Sequence, residues 1–283
     1  MTLNAILVKF YAEHDRSYLP WRKTHDPYKI LVSEIMLQQT QVDRVLPKYK
    51  EFLQTFTTIE VLAKASFAEV LAHWSGLGYN RRAKFLHEAA KAVVRDFGGT
   101  LPVGVQQLQT LPGIGPYTAR AVAAFAYNQP EVFIETNIRT VFTHYYFSDS
   151  NPVDISNQPH KIADAELLPY IAKDLAHSKM EPREFYAALM DYGSHLKHSG
   201  VRINDKSKHY KKQLKFEGSA RQLRGAILRE LLKQPATPEE MWNIFAHVNK
   251  FHLFTLSEIE REIQKLLKEC LIQKKGKRLV VAK

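Results

Sequence analysis

LPGIGPYTARAVAAFAYNQPEVFIE, residues 111–135, decides the fold. Pro112-Gly113 and Gly115-Pro116 interrupt the chain twice within five residues, so no regular element passes through them. Gly113 and Gly115 can take positive φ and leave their backbone N–H groups uncovered. Pro116 suits the first turn of a helix, where its missing N–H costs little. The Ala-rich run from Thr118 to Ala126 continues as helix, and Val105, Leu108 and Leu111 stand at helical spacing upstream. The unit therefore reads helix, glycine hairpin, helix. A hairpin that opens a helix gathers free N–H groups at a positive dipole end, which suits a phosphate. An ordinary helical turn needing two glycines fits the same residues.

Outward from this unit, the 283 residues are 45% hydrophobic, enough for two or three cored domains. Periodicity is helical almost throughout, with alternation confined to the last residues. A single cysteine, Cys270, excludes a disulfide framework and a four-cysteine metal site. The N-terminal MTLNAILVKFYAEHDRS carries charges inside an amphipathic pattern, unlike a signal peptide, and no apolar run is of membrane-spanning length. The expectation is a cytoplasmic, nucleoid-associated protein with no membrane partner.

The formal net charge is +11, with a pI near 9.5, which points to nucleic acid or another anionic surface. Residues 197–224 hold nine Lys/Arg against two acids, a net +7. Lys197, Lys208, Lys211 and Lys212 in this stripe are candidates for tracking phosphates. A solvated charged linker is the plainer reading of the same run.

In chain order, the first helix is expected within residues 1–20 and is broken by Leu19-Pro20-Trp21-Arg22. Asp26-Pro27 is an N-cap followed by proline at N1. The helix it starts carries Glu34 in an apolar body, where a carboxylate is exposed, paired or functional. Gln38, Gln39 and Thr40 follow, polar side chains that can hydrogen-bond base edges and that are also ordinary on a helix surface. Helices are expected near 58–64 and 67–75. Gly76-Leu77-Gly78-Tyr79 is a loop with an aromatic, next to the basic start Asn80-Arg81-Arg82, and suits insertion into a stacked duplex. Val132-Phe133-Ile134 leads to Glu135, Thr136 and Asn137; Glu135 reads as a partly enclosed acid or a simple N-cap. Further helices are expected at 138–147, 161–175, 182–197, 221–233, 237–247 and 256–268. Residues 270–281 then read as a hairpin around Lys275-Gly276. Three helices and a basic hairpin is the order of a winged helix.

SEIMLQQTQV (33–42), GLGYNRRAKFL (76–86) and LPGIGPYTARAV (111–122), with LPWR (19–22) and DPYK (26–29), resemble the helix-hairpin-helix DNA glycosylases, most closely the MutY-type adenine DNA glycosylases. The resemblance runs from about residue 3 to 196. It implies an all-α, two-lobed fold, to which the reading of the last residues adds a C-terminal winged-helix domain. One lobe would be 1–26 plus 132–215, a six-helix barrel 27–131, and the winged helix 216–283. The implied partner is double-stranded DNA with a mismatch or damaged base, its target nucleotide flipped out, bound by a monomer.

By position, Glu34 matches the family's catalytic acid. Trp21, Arg22 and Leu37 match the base pocket. Gln39 and Tyr79 match residues that wedge into the duplex, with Gln38, Thr40, Leu77 and Arg82 beside them. Gly113 and Gly115 match the phosphate-binding hairpin. Glycosidic cleavage needs a proton donor to the base and a carboxylate facing the oxocarbenium-like sugar. These roles would fall to Glu34, with a raised pKa, and Glu135.

The chain departs from the family in several places. Glu135 stands where the superfamily has aspartate, although Asn137 still matches. The four cysteine positions of the iron–sulfur cluster hold Lys197, Asn204, Ser207 and Gln213, so no cluster and no other cofactor is expected, and the basic stripe is inferred to take the cluster loop's place on the phosphates. Residues 216–283 replace the domain that reads 8-oxoguanine. Tyr117 stands where bifunctional relatives carry an imine-forming lysine, which implies a monofunctional hydrolase. The expectation is removal of mispaired adenine, with a mispaired thymine or uracil glycosylase, or a weakly catalytic damage-binding protein, as the other readings.

Overall fold

The computed structural model describes residues 1–14, 16–147, 161–208, 215–247 and 254–282. In chain order the α-helices are α1 (Leu3–His14), α2 (Pro27–Leu37), α3 (Val42–Thr55), α4 (Ile59–Lys64), α5 (Phe67–Trp74), α6 (Arg81–Phe97) and α7 (Val105–Gln109). They continue as α8 (Pro116–Tyr127), α9 (Thr136–Phe147), α10 (Asp164–Ala176), α11 (Pro182–His198), α12 (Ala220–Lys233), α13 (Pro238–Ala246) and α14 (Leu256–Lys268). Two short strands close the chain, β1 (Ile272–Lys275) and β2 (Arg278–Val281). The fold is all-α apart from this hairpin among the described residues.

Local chemistry sets most of these boundaries. Asp26 Oδ1 accepts from the Tyr28 N–H at 2.9 Å and caps α2, whose first residue is Pro27. Ser66 with Glu69, Thr237 with Glu240 and Thr255 with Glu258 form capping boxes at α5, α13 and α14. Pro116 occupies the first turn of α8. The first helix ends at His14, and Pro20–Arg22 forms a separate 3-10 turn. Residues 161–163 are not helical: Ile162 forms a parallel bridge with Ser207, its N–H donating to the Lys206 carbonyl at 2.8 Å.

The chain folds as two compact units. The first comprises Met1–Glu34, Pro102–Gln109 and Ile114–Lys212. Its core is built on α8, where Ala119, Ala121, Val122, Ala123 and Ala124 are fully buried, and on α9 and α11. Alanine on three sides lets neighbouring helices approach closely. Gly193 on α11 marks the tightest approach: a Cβ there would lie 2.3 Å from the Asn137 carbonyl oxygen of α9.

The second unit comprises Ile35–Leu101, Thr110–Gly113 and Gln213–Lys283. Trp74, Phe52 and Val70 are buried in it, and α12 packs on α5. The strands pair antiparallel from Ile272 with Val281 to Lys275 with Arg278, and Ala236 adds a bridge to Leu279. Residues 216–283 thus run helix, helix, helix, hairpin, within the same unit as residues 35–101.

The two glycines of the hairpin serve different ends. Gly113 has φ +74°, and a Cβ there would lie 2.4 Å from the Phe85 Cβ, so glycine is required twice over. Gly115 instead has φ −84° and ψ 177°, extended backbone that any residue adopts. Its surroundings are open, with nothing within 4 Å of a Cβ built there. It is exposed at the N-cap of α8, where a ligand can reach the backbone.

Candidate functional site

In the first unit, α2, α8, α9 and α11 bring one set of polar side chains together. Glu34 lies on α2 at 8% exposure. Tyr117, the second residue of α8, donates its hydroxyl to Glu34 Oε2 at 3.3 Å. Burial raises the Glu34 pKa to about 7; the Tyr117 bond opposes the rise, the nearby Glu135 adds to it, and Arg22 opposes it. Burial and the two carboxylates push the Tyr117 hydroxyl well above its ordinary range. At neutral pH this pocket therefore holds an acid with a proton to give, beside a tyrosine that stays neutral.

Glu135 ends the segment before α9. Its Oε1 accepts from the Asn137 N–H at 2.7 Å and the Ile138 N–H at 2.9 Å. The N-cap reading is met, and the carboxylate also lies within electrostatic reach of Glu34. A single side chain does both because a cap uses one oxygen. The segment is held by aromatic packing: Phe133 stacks on Tyr186 at 3.9 Å and meets Tyr117 edge-on at 5.7 Å. The Tyr186 hydroxyl donates to the Glu131 carbonyl at 2.6 Å.

Trp21 is buried in the 3-10 turn before α2, and Leu37 is half-buried one turn after Glu34. Arg22 donates to Asp191 Oδ1 at 3.3 Å. Asp191, 4% exposed on α11, also accepts from Arg16 Nε at 2.6 Å. Arg183 holds the same turn, donating to the Arg22 and Thr24 carbonyls at 2.7 and 2.6 Å. Sequence reasoning missed Asp191 and Arg183.

Lys197 departs from its expected place on the outer stripe. It is half-buried on α11, and its Nζ donates to Asn137 Oδ1 at 2.7 Å. Burial lowers its pKa, Glu135 holds it up and Arg139 pushes it further down. Lys208 is exposed, its N–H bonded to the Ile162 carbonyl at 3.0 Å; Lys211 and Lys212 lie outside the described residues.

The second unit carries the other sequence candidates. Gln39 is exposed at φ +53°, with Gln38 and Thr40 half-buried on either side. Tyr79 is half-buried at φ +48°, and Leu77 is buried at 3% exposure. Arg82 is a correction to its expected contact with DNA. Its Nη1 donates to the Ile35, Met36 and Gln38 carbonyls at 2.8, 2.9 and 2.6 Å, and its Nη2 to Thr40 Oγ1 and the Leu77 and Gly78 carbonyls. Buried at 8% exposure, it binds the end of α2 to the 76–79 loop. Arg221 of α12 donates to the Tyr79 hydroxyl at 2.7 Å. A cavity of about 740 Å³ opens beside this pair, lined by Gln38, Gln39, Arg81, Phe85 and Phe216 among others and by no acidic residue.

An iron–sulfur cluster does not fit the residues at its family positions. Lys197 is bonded to Asn137, Ser207 is buried in the bridge to Ile162, and neither is a thiolate. Among the described residues no group of three or more His, Cys, Asp or Glu is placed to hold a metal ion. No helix among them is long and apolar enough to cross a membrane.

Residues 32–164 match the HhH-GPD superfamily of base excision DNA repair proteins. An adenine DNA glycosylase of Mycobacterium tuberculosis is 33% identical over 285 residues, spanning 94% of this chain and 88% of the relative. The chain belongs to the HhH-GPD superfamily. Another relative, the adenine DNA glycosylase of Mycolicibacterium smegmatis, is 38% identical over 69% of this chain and 63% of its own length. Among solved structures, a thermostable thymine-DNA glycosylase superposes with a TM-score of 0.57 at 29% identity, over 68% of this chain and 84% of the other. As an HhH-GPD enzyme, the protein is a base-excision DNA glycosylase, and DNA is its substrate.

Proposed function

We propose that the protein hydrolyses the N-glycosidic bond of adenine mispaired with guanine or 8-oxoguanine, with water as the nucleophile. The observation that carries this reading is Glu34, buried, hydrogen-bonded to Tyr117 and raised to a pKa of about 7. Such a group donates a proton to a leaving base at physiological pH. Glu135 faces the sugar as charge develops there. Asn137 braces the sugar end of the pocket, and Trp21, Arg22 and Leu37 enclose the base. Tyr117 at the hairpin helix is no imine former, which supports a monofunctional enzyme. The names of the relatives, adenine DNA glycosylases, support the choice of base.

Gln38, Gln39, Thr40 and Tyr79 meet the opposite strand, while Leu77, buried at 3% exposure, holds the loop from behind. Gly113 and Gly115 approach the phosphates, and the rest of the basic stripe beyond Lys197, with Lys208, Lys211 and Lys212, follows the backbone. Residues 216–283 act as a winged helix on the same duplex, and one monomer suffices, at work on the nucleoid. The likeness to a thymine-DNA glycosylase favours, as a second reading, a mispaired thymine or uracil.

Single-turnover base release separates the two. Duplexes carry A opposite 8-oxoguanine, A opposite G, T opposite G or U opposite G, each assayed with and without alkali. Adenine release is the expected result; release of thymine or uracil alone overturns the first reading in favour of the second.

A further inference from the structure

The cavity of about 740 Å³ in the second unit lies between α12 and the segments that carry Gln39 and Tyr79. Six arginines line it and no acidic residue does, so it favours an anion. Most of these arginines already serve the protein. Arg82 holds backbone carbonyls, Arg221 the Tyr79 hydroxyl and Arg224 the Glu269 carboxylate. Arg81 is exposed, has no acidic partner among the described residues, and lies over the Phe85 ring with its guanidinium carbon 5.3 Å from the ring centre. Phe216, at the cavity edge just before α12, is 55% exposed.

Gly225 lines the same cavity from the middle of α12. Glycine weakens a helix interior relative to alanine, and packing does not demand it here. A Cβ would meet only the flexible end of Arg229, at 3.6 Å. At Gly193, by contrast, the Asn137 backbone leaves no space for one. What Gly225 preserves is the depth of the cavity.

We infer that this cavity holds the nucleotide opposite the target, turned out of the base stack on the far side from the Glu34 pocket. The inference rests on the proposed reading in which Gln39 and Tyr79 meet the opposite strand. The lining matches the parts of an unstacked nucleotide. Phe216 and the Arg81–Phe85 pair offer flat faces to a base. The Gln38 and Gln39 amides can hydrogen-bond its edge, and the arginines face its phosphate. The volume falls within the range of about 300–1,000 Å³ usual for a bound small molecule, enough for a purine with its sugar. A mispaired base is also the cheapest to unstack.

The test uses the full chain and a duplex with a non-cleavable adenine analogue at the target, carrying either guanine or no base opposite. In wild type, removing the opposite base should weaken binding by about tenfold, the worth of one stacked base. Gly225→Trp fills the cavity, so the same removal should change its binding by roughly twofold or less. Gly225→Ala leaves the cavity open and should keep the dependence while raising the melting temperature. Equal dependence in wild type and Gly225→Trp, or none in wild type, overturns the inference.

A second measurement needs no variant. With 8-bromoguanine at the opposite position, irradiation and peptide mapping should place the crosslink on Phe85, Phe216 or α12. A crosslink confined to Tyr79 leaves the base in the stack beside the wedge and overturns the inference. So does equal crosslinking by free 8-bromodeoxyguanosine monophosphate, which assigns the cavity to a free nucleotide. Adenine release without a crosslink in the cavity rejects this inference alone; a crosslink there without release of any base rejects the substrate reading alone.

Discussion

The Tyr117 hydroxyl lies 3.3 Å from Glu34 Oε2 and donates to it. This bond opposes the effect of burial, which on its own would carry the Glu34 pKa beyond the value of about 7. Base release that needs protonated Glu34 therefore declines as pH rises through about 7. Glu34→Gln should lower single-turnover release by roughly 10²- to 10⁴-fold, the usual worth of a general acid. Tyr117→Phe removes the opposing bond, so the declining limb should move to higher pH. Release rates measured from pH 5 to 9 check both. A limb that stays in place in Tyr117→Phe would show that Glu34 does not set it.

Glu135 caps α9 with the same oxygen that bonds two backbone N–H groups, so its charge and its capping can be separated. Glu135→Gln keeps an acceptor at the cap and removes the charge. It should lower base release by about 10²- to 10³-fold, the usual loss when an electrostatic partner of the transition state is removed, with little change in melting temperature. Glu135→Ala loses the cap as well, with a stability loss of about 0.5–2 kcal/mol. Glu135→Asp restores the family residue but draws the carboxylate back by roughly 1 Å, which should cost about a hundredfold in rate. Rates and thermal melts on the three variants separate these terms.

Burial of Glu34 also makes a stability prediction. Its folded pKa of about 7 lies above the ordinary 4.5. The folded state holds the proton more tightly, so the stability linked to it is full below pH 4.5 and is lost as pH rises through 7. Between those limits the loss is roughly 3 kcal/mol. Glu34→Gln has no such loss. Urea unfolding at pH 5 and pH 9 should show the variant gaining on wild type by about that amount at the higher pH. An equal difference at both pH values would rule out the buried acid.

The helix boundaries were legible because their signals are local. Asp26 with Pro27, and Pro116, each act within one turn. The pairing of Glu34 with Glu135 was legible only through the family resemblance, since 100 residues of chain separate them. Two readings failed for one reason. Arg82 looks like a DNA contact beside the wedge and Lys197 like part of a charged stripe, because a sequence displays charge without displaying burial. Arg82 is enclosed by backbone carbonyls of the two segments it joins, and Lys197 is turned inward by the approach that Gly193 permits. Glycine's freedom at φ is used at Gly113 alone; what Gly115 supplies is open space.

Arg221 and Tyr79 carry the last prediction. Tyr79 holds φ +48°, a left-handed conformation that costs a non-glycine residue on the order of 1 kcal/mol, so the loop needs support. Arg82 supplies part of it through the Leu77 and Gly78 carbonyls, with its guanidinium carbon 5.4 Å from the Tyr79 ring centre. Arg221 adds to it, bonding the hydroxyl at 2.7 Å with its guanidinium carbon 5.6 Å from the same centre. If Tyr79 is the wedge, α12 braces it for insertion, and Arg221→Ala should weaken binding to a mispaired duplex by about tenfold, equivalent to roughly 1.4 kcal/mol. Tyr79→Phe removes the same bond from the other side, so the double variant should lose little more than either single one. Arg229→Ala, an exposed arginine of the same helix, controls for charge alone and should change binding less. Titration of a duplex carrying a non-cleavable adenine analogue measures all four. Equal losses in Arg221→Ala and Arg229→Ala, or additive losses in the double variant, would reduce Arg221 to one more positive charge near DNA and leave the wedge supported by Arg82.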